Sequence, residues 1–205
     1  MTRRQPPDPI DEILAALETI LGDRPSYSHK RLFREYLELY LRWNQVHRMT
    51  ALDSPLGIAR ELFIDSLLFL EVVPKNRPLA VVDIGAGAGI PGLPMKLADP
   101  GLLLYLVESK RKRVSFLRAA CRKLGLADVV VLEGRAERMV QQDPTLRESF
   151  DVAVSRSVAG IGRLSSMALP FLKSGGEVVV SASPQVTADP AVELIRVHTP
   201  GTGTI

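Results

Sequence analysis

The residues with the greatest chemical potential stand in a glycine-rich stretch, VVDIGAGAGIPG, at positions 81–92. Glycine adopts positive φ without steric cost and lets the backbone approach a ligand closely. Gly85, Gly87 and Gly89 follow a short apolar run and precede a helical segment. That places the loop at the carboxyl end of a first strand, where open α/β sheets bind ligands. The spacing is G-x-G-x-G. A dinucleotide fingerprint needs glycine at position 90, where Ile90 stands, and a P-loop needs a Gly-Lys-Ser/Thr ending, which is absent. A nicotinamide-dependent oxidoreductase is therefore disfavoured. Asp83, just before the glycines, argues against a bare phosphate ligand. A carboxylate there suits the ordering of the loop and offsets an ammonium group.

Two further features fall after two further apolar runs. Glu108 closes the second run, 25 residues beyond Asp83, where a carboxylate accepts hydrogen bonds from both hydroxyls of a ribose. Residues 133–137, EGRAE, follow the third run and offer peptide amides and a carboxylate to an adenine edge. Each piece has a plain structural reading on its own: a glycine turn, or an acid that caps the next helix. In register on successive strands, they point together to an adenosine-containing ligand. S-adenosylmethionine fits best, because it carries ribose and adenine without a phosphate.

The elements that position these residues are readable from periodicity. Ile10, Ile13, Leu14, Leu17 and Leu21 recur at helical steps, and so do Leu32, Phe33, Tyr36, Leu37, Tyr40 and Trp43. A third helix is expected over residues 56–71, with Pro55 in its first turn. The composition changes at residues 73–78, VPKNRP. Beyond that point, short apolar runs at 79–83, 102–107, 129–132, 152–154 and 178–180 alternate with helical stretches at 92–98, 110–124 and 161–172. Buried runs alternating with helices indicate βαβ units around a parallel sheet. The expectation is a helical N-terminal extension (1–75) on a doubly wound, Rossmann-like α/β body (76–205). After Val180 there is room for one helix or strand, and the C-terminal end is short for this architecture.

Composition narrows the function classes. The chain has 205 residues, 46% hydrophobic and 24% charged, which suits about one domain with a real core. Cys121 is the single cysteine, so an internal disulfide is excluded and a reducing compartment fits. The N-terminus lacks the apolar run of a signal peptide, and no 18-residue uncharged apolar stretch occurs, so no membrane association and a cytoplasmic location are expected. His29, His47 and His198 are scattered without metal-ligand spacing, and no acid–base cluster is evident, so neither a metal nor a catalytic side chain is expected. Net charge is only +3, yet residues 108–138 hold nine Lys or Arg against four acids. Such a face is either a solvated helix surface or a seat for a polyanion. On the helix at 110–124, Val114, Leu117, Cys121 and Leu124 turn to the sheet, which points Arg111, Arg118 and Arg122 outward. Cys121 reads as a core thiol, His47 as a surface or cap residue, and the Tyr40–Trp43 stripe as core.

The segments VVDIGAGAGIPGLPMKLADP, LVESKRKRVSFLRAACRKLGL, VLEGRAERM and FDVAVSRSVA together resemble the bacterial small-subunit ribosomal RNA guanine-N7 methyltransferases, the glucose-inhibited division protein B family. Upstream, Trp43-Asn44, Met49-Thr50-Ala51 and Asp65-Ser66-Leu67 are similar to the family's N-terminal part. The resemblance covers residues 30–181. It implies a class I methyltransferase acting on N7 of a guanine in 16S rRNA, with S-adenosylmethionine as cofactor and 16S rRNA or the small ribosomal subunit as partner, working as a monomer. By resemblance, Gly85 and Ile90 line the cofactor, Ala136 and Glu137 meet its adenosine, and Arg156 lies at the site. Asp83, Gly87, Gly89 and Glu108 belong to the general methyltransferase pattern. Arg156 suits a donor to guanine O6 or to a phosphate, a brace for the cofactor, or a salt bridge at a strand end. The chain departs from the family pattern at Arg48-Met49 (commonly Asn-Leu), at Leu62 (commonly histidine) and near Ala182 (commonly lysine). Two other readings stand beside this one: a small-molecule methyltransferase, and a non-catalytic RNA-binding protein that keeps the fold.

Overall fold

A computed structural model describes residues 6–75, 78–156 and 161–181. It opens with two helices. Helix α1 (Pro9–Leu21) starts on Asp8, whose side chain accepts the Ile10 N–H at 2.8 Å, and stops at Gly22, in the left-handed conformation. Helix α2 (Tyr27–His47) starts on Ser26 in a capping box whose partner, at the third helical residue, is His29. These side chains satisfy amide groups that a helix start leaves free.

The expected helix over 56–71 is present but not continuous. It runs as α3 (Pro55–Ile58), a π turn (Ala59–Ile64), α4 (Asp65–Leu67) and α5 (Phe69–Val72). A π turn widens the backbone spiral by one residue and rotates everything after it, which a 3.6-residue periodicity does not reveal. It delivers Asp65 to the buried side of the segment.

The body then alternates β1 (Leu79–Ile84), α6 (Gly92–Ala98), β2 (Leu102–Glu108), α7 (Arg111–Leu124), β3 (Val129–Glu133), α8 (Ala136–Gln142), β4 (Phe150–Arg156), α9 (Ile161–Ala168) and β5 (Leu172–Ser181). All pairings are parallel, in the order β3-β2-β1-β4-β5. This is the doubly wound, Rossmann-like architecture expected from the sequence. Two edges differ from expectation. The helix over 161–172 gives way to a 3-10 turn at Leu169–Phe171, because Pro170 has no amide to donate. The last strand begins at Leu172 and reaches Ser181, with a register shift against β4, so its polar start escapes a search for apolar runs. The expected element beyond Val180, with Ala182 and His198, lies in 182–205, outside the described residues.

Period-two alternation divides the sheet's side chains between two cores. Val81, Leu104, Leu106, Val152 and Val154 face α1, α2, the 55–72 segment, α6 and α7. Val82, Ile84, Val107 and Ala153 face α8, α9 and the turns around Leu146 and Phe171. The first core carries the aromatic stripe: Tyr36 stacks on Phe63 at 4.6 Å, Tyr40 meets Phe116 edge-on at 5.9 Å, and Trp43 meets Phe116 at 5.4 Å. Burying each such ring is worth about 1.5–3 kcal/mol. The N-terminal helices thus share one apolar core with the sheet. Among the described residues, no helix is long and apolar enough to cross a membrane.

Candidate functional site

The glycine loop leaves β1 and bends over the end of β2. Gly85, Gly87 and Gly89 have φ of 75°, 58° and 83°, a region where a side chain is strained. The Gly85 and Ala86 amides both donate to the Val107 carbonyl, at 2.9 and 3.0 Å. Gly89 has no room for more: a Cβ there would lie 2.4 Å from Leu93 Cδ1. At Gly87 the outer side is open, where a Cβ would touch only the Arg113 guanidinium at 3.6 Å and the Gly85 carbonyl at 3.8 Å.

Two carboxylates hold this loop from below. Asp83 is fully buried, and its Oδ2 accepts the Gly92 N–H at 2.9 Å. Its Oδ1 has no hydrogen-bond partner among the described residues. Burial pushes the Asp83 carboxyl up to about 7, against the pull of the Gly92 amide and aided by the Glu108 charge. Glu108 is also buried; Oε2 accepts the Gly87 N–H at 3.0 Å and Oε1 the Lys110 N–H at 2.8 Å. Arg113 stands 3.6 Å from Oε2. A carboxylate oxygen has two lone pairs, so Glu108 keeps acceptor capacity beyond these two amides.

The turn after β3 is tied to the same place, since the Gly134 N–H donates to the Glu108 carbonyl at 2.9 Å. Ala136 is buried at the start of α8, while Glu137 is exposed and pairs with Arg163 at 3.6 Å. At the end of β4, the Ser155 hydroxyl donates to the Ile84 carbonyl at 2.8 Å, fastening β4 to the strand that bears the loop. The next residue, Arg156, pairs through Nη2 with Asp65 Oδ2 at 2.9 Å. Its buried Nη1 has no hydrogen-bond partner among the described residues. Burial raises the Asp65 carboxyl, with Arg156 opposing that shift and Glu61 adding to it.

A family model described as rRNA small subunit methyltransferase G (GidB) matches residues 29–189. The chain belongs to that family. It is 39% identical over 152 residues to the ribosomal RNA small subunit methyltransferase G of Alkaliphilus oremlandii (strain OhILAs), covering 74% of this chain and 63% of that protein. It is 40% identical over 177 residues to the protein of the same name from Moorella thermoacetica (strain ATCC 39073 / JCM 9320), covering 85% and 72%. The chain thus spans slightly under two thirds of the first of these relatives. Among solved structures, a protein-L-isoaspartate O-methyltransferase superposes with a TM-score of 0.55 at 20% identity, over 83% of this chain and 54% of that one. That likeness concerns the fold.

The family motifs converge as their spacing in sequence suggested. Asp83, Gly85, Gly87, Gly89 and Glu108 form one hydrogen-bonded unit, and the 133–137 turn is bonded to its edge. Ile90 continues the loop, its N–H donating to Ala86 O at 3.0 Å. Arg156 lies across the β1–β4 pair from the loop. Three participants carried no chemistry in the sequence reading. Tyr36, read only as core, donates its hydroxyl to Ala88 O at 2.6 Å, linking α2 to the glycine loop. Asp65 entered only as part of a family motif, and it is the partner of Arg156. Arg113 was one cation in a run, yet its guanidinium reaches the Glu108 carboxylate. Of the outward cations, Arg111 and Arg118 both pair with Glu133, at 3.6 and 3.4 Å. Cys121 is half-buried against the core, and burial pushes its thiol up to about 11, so it is no nucleophile at neutral pH. His47 is exposed at the end of α2.

Proposed function

We propose that this chain transfers a methyl group from S-adenosylmethionine to N7 of a guanine in 16S rRNA. The observation that carries the reading is the loop bound from beneath by Asp83 and Glu108, in a chain of this family. The residues suit the cofactor. Gly87 is open outward, the orphaned Asp83 Oδ1 suits an ammonium group, and Glu108 retains lone pairs for ribose hydroxyls. In this reading Gly85 and Ile90 line the cofactor, and Ala136 and Glu137 border its adenosine. When bound, the cofactor supplies an electrophilic methyl on a sulfonium.

Guanine N7 is an in-plane lone pair without a proton, so the protein need not provide a base. Its work is positional: the nucleophile and the methyl must be held in line. The Ser155 hydroxyl fixes β4 against β1, the loop amides fix the loop against β2, and Asp65 holds Arg156 at the end of β4. Arg156 Nη1 is then free to donate to guanine O6 or to a phosphate. The enzyme works as a cytoplasmic monomer, and its partner is the small ribosomal subunit or its rRNA.

The test is transfer of labelled methyl from S-adenosylmethionine to small subunits lacking the modification, with deproteinised rRNA in parallel. Label recovered as N7-methylguanine at one position supports the proposal. Cofactor binding without RNA-dependent transfer sinks it, and label on a small molecule would favour the small-molecule alternative.

A further inference from the structure

A cavity of about 310 Å³ opens between the end of α2 and the start of α7. Its lining is His47, Arg48, Met49 and residues 110–113. Five of these seven side chains are permanent cations, and none is an acid. Arg111 is engaged by Glu133 and Arg113 by Glu108, each at 3.6 Å. Arg48, Lys110 and Lys112 have no ion pair among the described residues.

This arrangement works against the stability of the fold. The first turn of a helix favours acids, because its amides carry partial positive charge. Helix α7 has no acid in its first turn and no side-chain cap, and cations crowd its start instead. Arg48 adds another cation from a second element, on a backbone with φ of 45°. The Asn44 side chain holds the loop that follows, accepting the Thr50 N–H and donating to Leu52 O, both at 2.9 Å. Like charges brought together in a concave site repel one another until an anion enters. The lining offers five cationic side chains beside one aliphatic side chain, Met49, and the charge and donors suit phosphate better than an acidic peptide. Arg113 is shared with the Glu108 cluster, so the cavity borders the glycine loop.

We propose that this cavity is a phosphodiester subsite, taking one or two backbone phosphates of the RNA strand and setting its register on the enzyme. The inference rests on the rRNA reading above and moves the anion contact from the outward face of α7 to its first turn. Arg48 and Lys112 make the contact, while Arg111 and Arg118 stay with Glu133.

The test compares the double variant Arg48→Gln/Lys112→Gln with Lys123→Gln, which removes one charge at the far end of α7. Binding of deproteinised 16S rRNA is measured across a salt series, with S-adenosylmethionine affinity and thermal stability as controls. The double variant should bind RNA roughly tenfold more weakly, with a salt slope shallower by about 1–2. Lys123→Gln should match wild type, and cofactor affinity should not change in either. Equal binding by the double variant, or equal loss in both variants, overturns the cavity as a defined subsite. So does competition by an acidic peptide as effective as that by RNA. Methyl transfer by wild type is scored separately: its absence defeats the catalytic reading, while the binding series still judges the cavity.

Discussion

The carboxyl ends of β1 and β2 and the carboxyl end of β4 lie side by side, yet they are finished in different ways. At the first, most polar groups are consumed internally: Glu108 takes two amides, Asp83 takes one through Oδ2 and keeps Oδ1 over, and the Val107 carbonyl takes two more. At the second, a single ion pair joins Arg156 to a carboxylate from another part of the chain, and a guanidinium nitrogen is left over. The first end is a shape made in advance, so ordering it on binding costs little. The second presents a charged donor whose aim depends on one contact. Binding and chemistry should therefore separate in mutants: changes at the loop should remove affinity, and changes at β4 should remove rate.

The sharpest test of that separation is Gly85→Trp. The indole would fill the space where the backbone meets its ligand, and the folded variant should lose measurable S-adenosylmethionine binding by calorimetry. Unchanged affinity would end the idea that the loop is the cofactor's seat. Next is Arg156→Lys, which keeps the charge and loses the planar fork. Its kcat should fall about a hundredfold with cofactor affinity nearly constant. Asp65→Asn should act in the same direction but less, lowering kcat roughly tenfold. Equal loss of cofactor affinity in either variant would merge the two ends into one.

Asp83 gives the comparison a pH dependence. Its carboxyl sits at about 7 in the fold, above the ordinary 3.8. Between those values the folded chain holds a proton that the unfolded chain has released, so this group's contribution to stability falls as pH rises through the window. An ammonium-bearing ligand favours the ionised carboxylate, so cofactor affinity should rise between about pH 6 and about pH 8. Asp83→Asn should flatten that rise, and a slope that persists would place the titrating group elsewhere. The smallest effect is expected from Tyr36→Phe. It leaves the buried Ala88 carbonyl without its donor and should cost about 1 kcal/mol in denaturant unfolding.

The parts legible in the sequence are those governed by local period and by glycine chemistry. The strands at 79–83 and 102–107 bury most of their side chains, Leu103 being the exposed exception, so they are written as nearly unbroken apolar runs. The loop had to be glycine because three of its residues have positive φ. What stayed hidden depends on distant parts meeting. The polar start of β5 is specified by its pairing with β4, since Lys173–Glu177 carries no strand pattern of its own. The π turn at Ala59–Ile64 shifts the helical phase, so the direction of Asp65 did not follow from residue spacing. Tyr36 to Ala88 and Asp65 to Arg156 span 52 and 91 residues, and no spacing rule reaches that far.

The Tyr36 hydroxyl also makes the helical extension a sensor of the loop. A ligand that quiets the 85–89 backbone must quiet the carbonyl that Tyr36 holds, and through it the middle of α2. Local opening of α2 and occupancy of the loop are then one coupled equilibrium, governed by mass action. Amide hydrogen exchange in α2 should slow as cofactor is added, in residues that never touch it.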